Sequence, residues 1–206
     1  MTIIDKYNSI QIITKKVLTG AQKKNPLIIA VDGGSGAGKS TFVQHLAKQI
    51  NAVIIPLDDF YATDIPNKNW NEYTTKEKLN KVFQWERLVA TAIKPLLNGD
   101  SASWTTYDFS GIQEDGTYRQ GLDLQKMHPS NIIIIDGTYS ASPAISDFID
   151  IAILIDVSIE ERHKRLSNRE SLLFLKEWHQ RWDSVEEYYF NEIRPKEFYN
   201  LVIENY

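Results

Sequence analysis

A glycine-rich stretch near the start of the chain carries the residues with the most specific chemistry. Residues 33–40, called the phosphate loop below, read Gly-Gly-Ser-Gly-Ala-Gly-Lys-Ser and fit the pattern G-x-x-x-x-G-K-[ST]. Glycines allow backbone N–H groups to turn inward around an anion, in conformations that a β-carbon would resist. Lys39 can then reach the outer phosphates of a nucleotide, and the Ser40 hydroxyl can ligate Mg²⁺. The loop therefore predicts a site for a nucleoside triphosphate.

The segments on either side of the phosphate loop support this interpretation. Residues 27–31 form a short, β-branched run that is typical of a buried strand, whereas Phe42, Leu46 and Ile50 have helical spacing. A phosphate-binding loop needs a strand before it and a helix after it, so that the helix dipole can add to the attraction for an anion. A glycine-rich turn without a ligand is the alternative, and it needs neither element.

Acidic residues end two further predicted strands. Asp58 and Asp59 follow a strand predicted over residues 52–57, and Asp136 ends the isoleucine run at 132–135. Because parallel strands share one edge at their carboxyl ends, we expect these acids to face the phosphate loop. One carboxylate there can hold Mg²⁺, and another can take the proton of an acceptor hydroxyl during phosphoryl transfer. Aspartates that only cap turns or helices are the alternative.

The overall pattern predicts an α/β fold, a P-loop NTPase three-layer sandwich with a mostly parallel central sheet. The apolar runs at 131–136 and 150–156 lack alternation, so both faces of the sheet must be covered. We expect a single domain over residues 1–206, with a helix at 1–20 and a long helical region from 159 to about 193. A β-hairpin insertion is predicted at about 100–125, with its turn at Asp115-Gly116.

Composition narrows the classes of protein. The 206 residues include no cysteine, which excludes disulfides and thiolate metal sites, and 23 Lys and Arg stand against 27 Asp and Glu, which disfavours a nucleic-acid partner. The four histidines lie far apart in sequence, so we expect no histidine metal centre. Apolar runs are too short to span a bilayer, and the first residues lack the apolar stretch of a signal peptide. We expect a cytoplasmic protein without a membrane partner; a homo-oligomer stays open.

Several segments together resemble the uridine kinase group of P-loop kinases, which is related to phosphoribulokinase and nicotinamide riboside kinase. They are the phosphate loop with Thr41, the segment Leu57-Asp-Asp-Phe-Tyr61, and Tyr107-Asp-Phe109. Ile135-Asp-Gly137 is similar to the acid-Gly pair at the end of that family's third core strand. Residues 161–169, with Arg162, resemble its arginine-bearing helix and a lid that we place at about 160–182.

The resemblance implies a kinase that uses ATP and Mg²⁺ and transfers the γ-phosphoryl group to a hydroxyl of a nucleoside or similar metabolite. It implies that Asp58 is the catalytic base, that Lys39 acts on the phosphates, and that Ser40, Asp58 and Asp136 serve the metal. The implied nucleotide-binding residues are Gly33, Gly34, Ser35, Gly36, Ala37, Gly38, Lys39, Ser40, Thr41, Arg165 and Arg169. The implied acceptor-binding residues are Asp59, Tyr61, Gln84, Tyr107 and Arg169.

Three positions differ from the acceptor contacts of that family. Gln84 stands where uridine kinases place an acid for ribose hydroxyls, Ile112 where a histidine contacts the pyrimidine, and Tyr188 where the lid has a glutamine. These differences leave a second function open, a nucleotide-binding regulatory module without acceptor turnover.

Overall fold

The computed structural model describes residues 2–22 and 24–204, and the chain divides into two compact units. Unit 1 comprises Met1–Ile55 and Ser130–Tyr206, and unit 2 comprises Pro56–Pro129. The sequence predicted one domain with a small insertion at about 100–125. The predicted hairpin lies within unit 2, and the chain leaves unit 1 at the end of its third strand.

The described residues form eight strands and seven α-helices. The strands are β1 (Thr2–Asp5), β2 (Leu27–Asp32), β3 (Val53–Pro56), β4 (Ala102–Ile112), β5 (Tyr118–Met127), β6 (Ile132–Asp136), β7 (Ile151–Asp156) and β8 (Leu201–Glu204). The helices are α1 (Lys6–Ala21), α2 (Lys39–Ile50), α3 (Thr75–Lys81), α4 (Trp85–Leu88), α5 (Lys94–Leu97), α6 (Ile159–Ser167) and α7 (Leu172–Tyr188). None of the described helices has both the length and the hydropathy needed to cross a bilayer.

Unit 1 is built on a six-stranded sheet with the strand order β1-β8-β7-β2-β6-β3. The pairings of β1 with β8, β8 with β7, β7 with β2 and β2 with β6 are all parallel. Every residue of β2 is buried; Ile29 and Val31 pack in one core cluster, and Ala30 between them packs in another. Since successive side chains of a strand point to opposite faces, both faces of the sheet are covered, as its unbroken apolar strands predicted.

Two predicted helical regions of unit 1 have different boundaries in the structure. The helix expected over residues 1–20 begins at Lys6, because residues 2–5 pair with β8 as a strand. The long region from 159 is interrupted after Ser167, and Ser171 caps α7 by accepting a hydrogen bond from the Phe174 N–H. A π-helical turn, Tyr189–Ile193, continues α7.

Unit 2 combines short helical segments with the predicted hairpin. β4 and β5 pair antiparallel, with Ala102 opposite Met127, and the register shifts between Thr105 and Ile112. A 3₁₀ turn, Leu57–Phe60, follows β3, and a second one covers Asn67–Asn71. A π-helical turn, Val89–Ile93, joins α4 to α5, so the helical stretch that begins at Trp85 contains a widened turn before it ends at Leu97.

Candidate active site

The phosphate loop connects β2 to α2, and the conformation of its glycines explains the spacing of the motif. Gly36 and Gly38 have φ values of 81° and 91°, in the left-handed region that favours glycine. A β-carbon at Gly33 would lie 2.5 Å from the carbonyl oxygen of Ile155, and one at Gly36 would lie 2.8 Å from that of Arg162. Larger residues at these positions would therefore displace the backbone that surrounds the loop.

The ammonium group of Lys39 is buried against the loop from which it projects. Its Nζ donates to the carbonyl oxygens of Gly33 at 2.8 Å and Gly34 at 3.1 Å, and to the Thr138 hydroxyl at 2.9 Å. All three acceptors are neutral, so among the described residues the positive charge is hydrogen-bonded to neutral oxygens only. Phosphate oxygens can replace such neutral acceptors with a gain in electrostatic energy. Thr138, which follows β6, was not identified from the sequence.

Ser40, near the start of α2, and Asp136, at the end of β6, lie together. The Ser40 side chain hydrogen-bonds to Asp136. Burial raises the pKa of Asp136, whereas the charge of Lys39 and the bond from Ser40 lower it. Its Oδ1 is buried without a hydrogen-bond partner among the residues that the structure describes. A hydroxyl beside an unpartnered carboxylate oxygen fits Mg²⁺, which prefers oxygen ligands.

Asp32, the last residue of β2, organises the backbone below the phosphate loop. It is fully buried and accepts five hydrogen bonds, from the N–H groups of Gly33, Tyr139 and Ala141 and from the hydroxyls of Tyr189 and Tyr199. Burial raises the pKa of this carboxyl group, and the hydrogen bonds and the charge of Lys39 oppose that shift. The residue links the loop to the segment after β6 and to the C-terminal part of unit 1, a role that the sequence analysis missed.

An ion pair between α6 and α7 contacts the same loop. Arg162 Nη1 lies 2.6 Å from Glu186 Oε2, with only 11% and 5% of the two side chains exposed. Glu186 Oε1 also accepts a hydrogen bond from the Ser35 N–H at 3.0 Å, and Arg162 donates to the Ser35 carbonyl oxygen at 3.1 Å. Both polar groups of the Ser35 backbone are thus held by the two helices.

The other two arginines of this region differ in their contacts. Arg165 donates to the Ala37 carbonyl oxygen at 3.2 Å and pairs with Glu161. Arg169 pairs with Glu170, and 69% of its side chain is exposed. Arg162 and Arg165 therefore contact the phosphate loop, whereas the nucleotide and acceptor roles expected of Arg169 stay predictions.

In unit 2, the two adjacent aspartates after β3 have different environments. Asp58 is exposed, whereas the Asp59 carboxylate accepts a hydrogen bond from the Trp104 indole at 2.8 Å and its backbone carbonyl accepts one from Arg87. Burial raises the pKa of Asp59, the Trp104 bond lowers it, and the charge of Asp58 raises it further. Asp59 thus anchors the 3₁₀ turn from which Asp58 projects.

Aromatic rings surround Tyr61, which was expected to bind the acceptor. Tyr61 stacks on Phe83 with ring centroids 4.7 Å apart and meets Tyr107 edge-on at 5.5 Å. Tyr61 and Tyr107 are both partly exposed. The pKa of the Tyr107 phenol is raised, mainly by burial. Its hydroxyl therefore stays neutral and can donate a hydrogen bond. A partly exposed aromatic cluster of this kind can stack on a planar ligand.

Gln84, the other expected acceptor residue, is held by its neighbours. Its Nε2 donates to the Thr63 hydroxyl at 3.0 Å, and its Oε1 accepts from Arg87 Nε at 2.6 Å and from Gln120 Nε2 at 3.3 Å. An amide oxygen has two lone pairs, so these two donors use its accepting capacity. The second N–H of the Gln84 side-chain amide can donate a further hydrogen bond.

Comparison with known proteins gives results that agree with this geometry. The sequence model of the Phosphoribulokinase / Uridine kinase family matches residues 28–171. A uridine kinase of Clostridium perfringens is 27% identical over 176 residues, which is 84% of this chain and 79% of that protein. A uridine kinase of Staphylococcus aureus is 27% identical over 177 residues, or 84% and 80%. A structure described as a possible uridine kinase from Bacillus stearothermophilus shares the fold, with a TM-score of 0.69 at 18% identity over 96% of this chain and 98% of that one.

Proposed function

Because the chain belongs to the phosphoribulokinase/uridine kinase family, we propose that it is an ATP- and Mg²⁺-dependent kinase for a hydroxyl of a nucleoside or similar small metabolite. One observation carries the proposal: Lys39 lies over the phosphate loop while Ser40 and the unpartnered oxygen of Asp136 lie together. The relatives named uridine kinase support a nucleoside as the acceptor.

On the nucleotide side, the protein supplies positive charge and directed N–H groups. Lys39 exchanges its carbonyl and hydroxyl acceptors for phosphate oxygens, and the amides of the loop and the start of α2 donate to the same group. Ser40 and Asp136 would hold Mg²⁺, which supplies charge neutralisation for phosphoryl transfer. Arg165, already on the loop at Ala37, adds a further positive charge.

On the acceptor side, we assign the proton transfer to Asp58. Its exposure leaves the carboxylate accessible to a hydroxyl group, and the anchored Asp59 fixes the turn that presents it. A carboxylate that orients the acceptor hydroxyl and accepts its proton is the usual requirement of this reaction. Tyr61 and Tyr107 would contact the acceptor through their rings, with Gln84 donating its remaining N–H.

A nucleotide-binding regulatory module without acceptor turnover is the second candidate. Two observations favour it: the Gln84 oxygen already accepts from Arg87 and Gln120, and Ile112, at the position where the resemblance implies a histidine, is an apolar side chain that is 58% exposed. Such a module would keep the phosphate loop and bind ATP, but it would release no ADP in response to an acceptor.

ADP release from Mg²⁺-ATP distinguishes the two functions when it is measured with a panel of nucleosides, nicotinamide riboside, pantothenate and sugar phosphates. We expect at least one acceptor to stimulate release, and Asp58→Asn to lower kcat by roughly 10²–10⁴-fold, the usual contribution of a general base. Asp64→Asn, which changes another exposed acid of unit 2, is the matched control and should have little effect.

Nucleotide binding is measured separately with Lys39→Ala. If the wild-type protein binds ATP and Lys39→Ala does not, but no acceptor stimulates ADP release, the regulatory module is correct and the kinase proposal is wrong. If the wild-type protein does not bind ATP, both candidate functions are wrong.

A further inference from the structure

Two helices of unit 1 bring together three side chains that are separated in sequence. His163 lies on α6, and His179 and Asp183 lie one turn apart on α7. One ligand atom from each of the three lies within 4.8 Å of the other two, and the two imidazole centroids are 3.7 Å apart. The sequence separation of the four histidines led us to expect no histidine metal centre, but the structure brings His163 and His179 together.

Two distances within this cluster are close to the distance between neighbouring ligands of a tetrahedral metal ion. His163 Nε2 lies 3.3 Å from Asp183 Oδ2, and His179 Nδ1 lies 3.0 Å from Asp183 Oδ1. Nitrogen and oxygen ligands about 2.0–2.1 Å from Zn²⁺ in tetrahedral geometry are about 3.3 Å from one another. The two measured distances end on different oxygens of Asp183, so binding through a single carboxylate oxygen requires a small shift of one imidazole or of the carboxylate.

The chemical environment of the cluster also favours a bound cation. The Nε2 atom of His163 is buried and has no hydrogen-bond partner in the described part of the chain, although it lies beside a carboxylate. The side chains of His163, His179 and Asp183 are 33%, 23% and 31% exposed, so an ion can enter from solvent. Two imidazoles and one carboxylate suit Zn²⁺ and related transition metals, whereas Mg²⁺ prefers oxygen ligands alone.

We propose that His163, His179 and Asp183 form a binding site for a transition-metal ion of the Zn²⁺ class, with a fourth position for water. The ion would join α6 to α7. Each helix also contributes one partner of the Arg162–Glu186 pair that holds Ser35, at positions one and three residues from the metal ligands. The bound ion therefore stabilises the two helices that contact the phosphate loop.

Zn²⁺ binding to the full chain, measured by calorimetry without nucleotide or acceptor, tests this proposal independently of the kinase function. We expect one equivalent to bind with an affinity that excess Mg²⁺ does not reduce, and His163→Ala, His179→Ala and Asp183→Ala each to weaken it at least tenfold. His45→Ala, which removes an exposed histidine of α2, is the matched control and should leave the affinity unchanged. Co²⁺ at the site should give the intense visible absorption of a tetrahedral complex.

Several results would overturn the metal site. They are the absence of Zn²⁺ binding by the wild-type chain, equal affinity in the wild type and the three variants, loss of binding in His45→Ala, and the weak absorption of octahedral Co²⁺. Circular dichroism without metal checks that each variant is folded. If an alanine variant does not fold, Asp183→Asn replaces it, because this change keeps the side-chain shape while removing the charge. Zn²⁺ should raise the Tm of the wild type and not that of Asp183→Asn.

Discussion

Replacement of Glu186 by alanine should destabilise unit 1 strongly. Among the described residues, Glu186 is the only carboxylate that forms an ion pair with Arg162. It also accepts a hydrogen bond from the Ser35 N–H. Truncation leaves the guanidinium group in a place where only 11% of the arginine side chain is exposed, with the Ser35 N–H unpaired. The positive charge then has neither its partner nor full hydration.

The size of the effect follows from the burial of both partners. Removing one member of a buried ion pair lowers the free energy of unfolding by roughly 3–5 kcal/mol. For a chain of this length each kcal/mol shifts Tm by about 2–4 °C, so we expect a decrease of about 6–20 °C. Replacing both partners, as Arg162→Met with Glu186→Leu, should restore part of the stability: no unpaired charge remains, but the Ser35 N–H and carbonyl both lose their partners.

Urea denaturation and thermal melting test this prediction by measuring the free energy of unfolding and Tm. They compare four proteins: the wild type, Glu186→Ala, the double variant and a matched control. The control is Glu161→Ala, which removes the partner of Arg165 from a pair whose side chains are 42% and 35% exposed. Exposed pairs contribute little, so its change should be much smaller. If Glu186→Ala is no less stable than Glu161→Ala, the assignment of the Arg162–Glu186 pair as a buried support of the phosphate loop is wrong.

Three further substitutions test other parts of the structure. Asp136→Asn should stabilise the nucleotide-free protein by roughly 1–3 kcal/mol at neutral pH by removing a poorly solvated charge. Because burial raises the pKa of Asp136 in the folded state, the wild type loses stability as pH rises from 3.8, the ordinary pKa, towards the folded-state pKa. In melts at different pH, the stability difference between Asp136→Asn and the wild type should therefore grow over this interval. A constant difference would refute the prediction. Trp104→Phe should lower the free energy of unfolding in urea by about 1–3 kcal/mol because it removes the donor to Asp59; an unchanged midpoint would contradict the role of that bond. Gln84→Glu should fold normally, since Arg87 can still donate to the retained oxygen, and should lower KM for a ribose-containing acceptor because the second carboxylate oxygen accepts from a hydroxyl to which the amide could only donate; equal KM values for all acceptors would argue against a hydroxyl contact there.

Features of the fold that depend on local sequence could be predicted. The apolar strands β2, β6 and β7 lack alternation, and this property alone indicates a sheet covered on both faces. The turn at Asp115-Gly116 likewise indicates the β4–β5 hairpin. Residues 2–5 behave differently: their helical spacing continues that of α1, but parallel pairing with β8, almost 200 residues away, determines their conformation.

The same distinction applies to the candidate site. The phosphate loop and Asp136 follow from motif and strand ends, since their geometry is set by neighbouring residues. Asp32 and Glu186 were missed because their partners are distant in sequence: Tyr189 is 157 residues from Asp32, and Ser35 is 151 residues from Glu186. A single buried acid has no local pattern that identifies such a partner.

The uninterrupted course of residues 56–129 has an evolutionary consequence. All but one of the residues that we assign to the acceptor lie within this stretch, at positions 58, 59, 61, 84 and 107, whereas the phosphate loop and Asp136 lie outside it. One recombination event that replaces this segment could therefore change the preferred metabolite without altering the machinery for ATP. Chimaeras with junctions near Ile55 and Ser130 offer a direct route to new specificities on this scaffold.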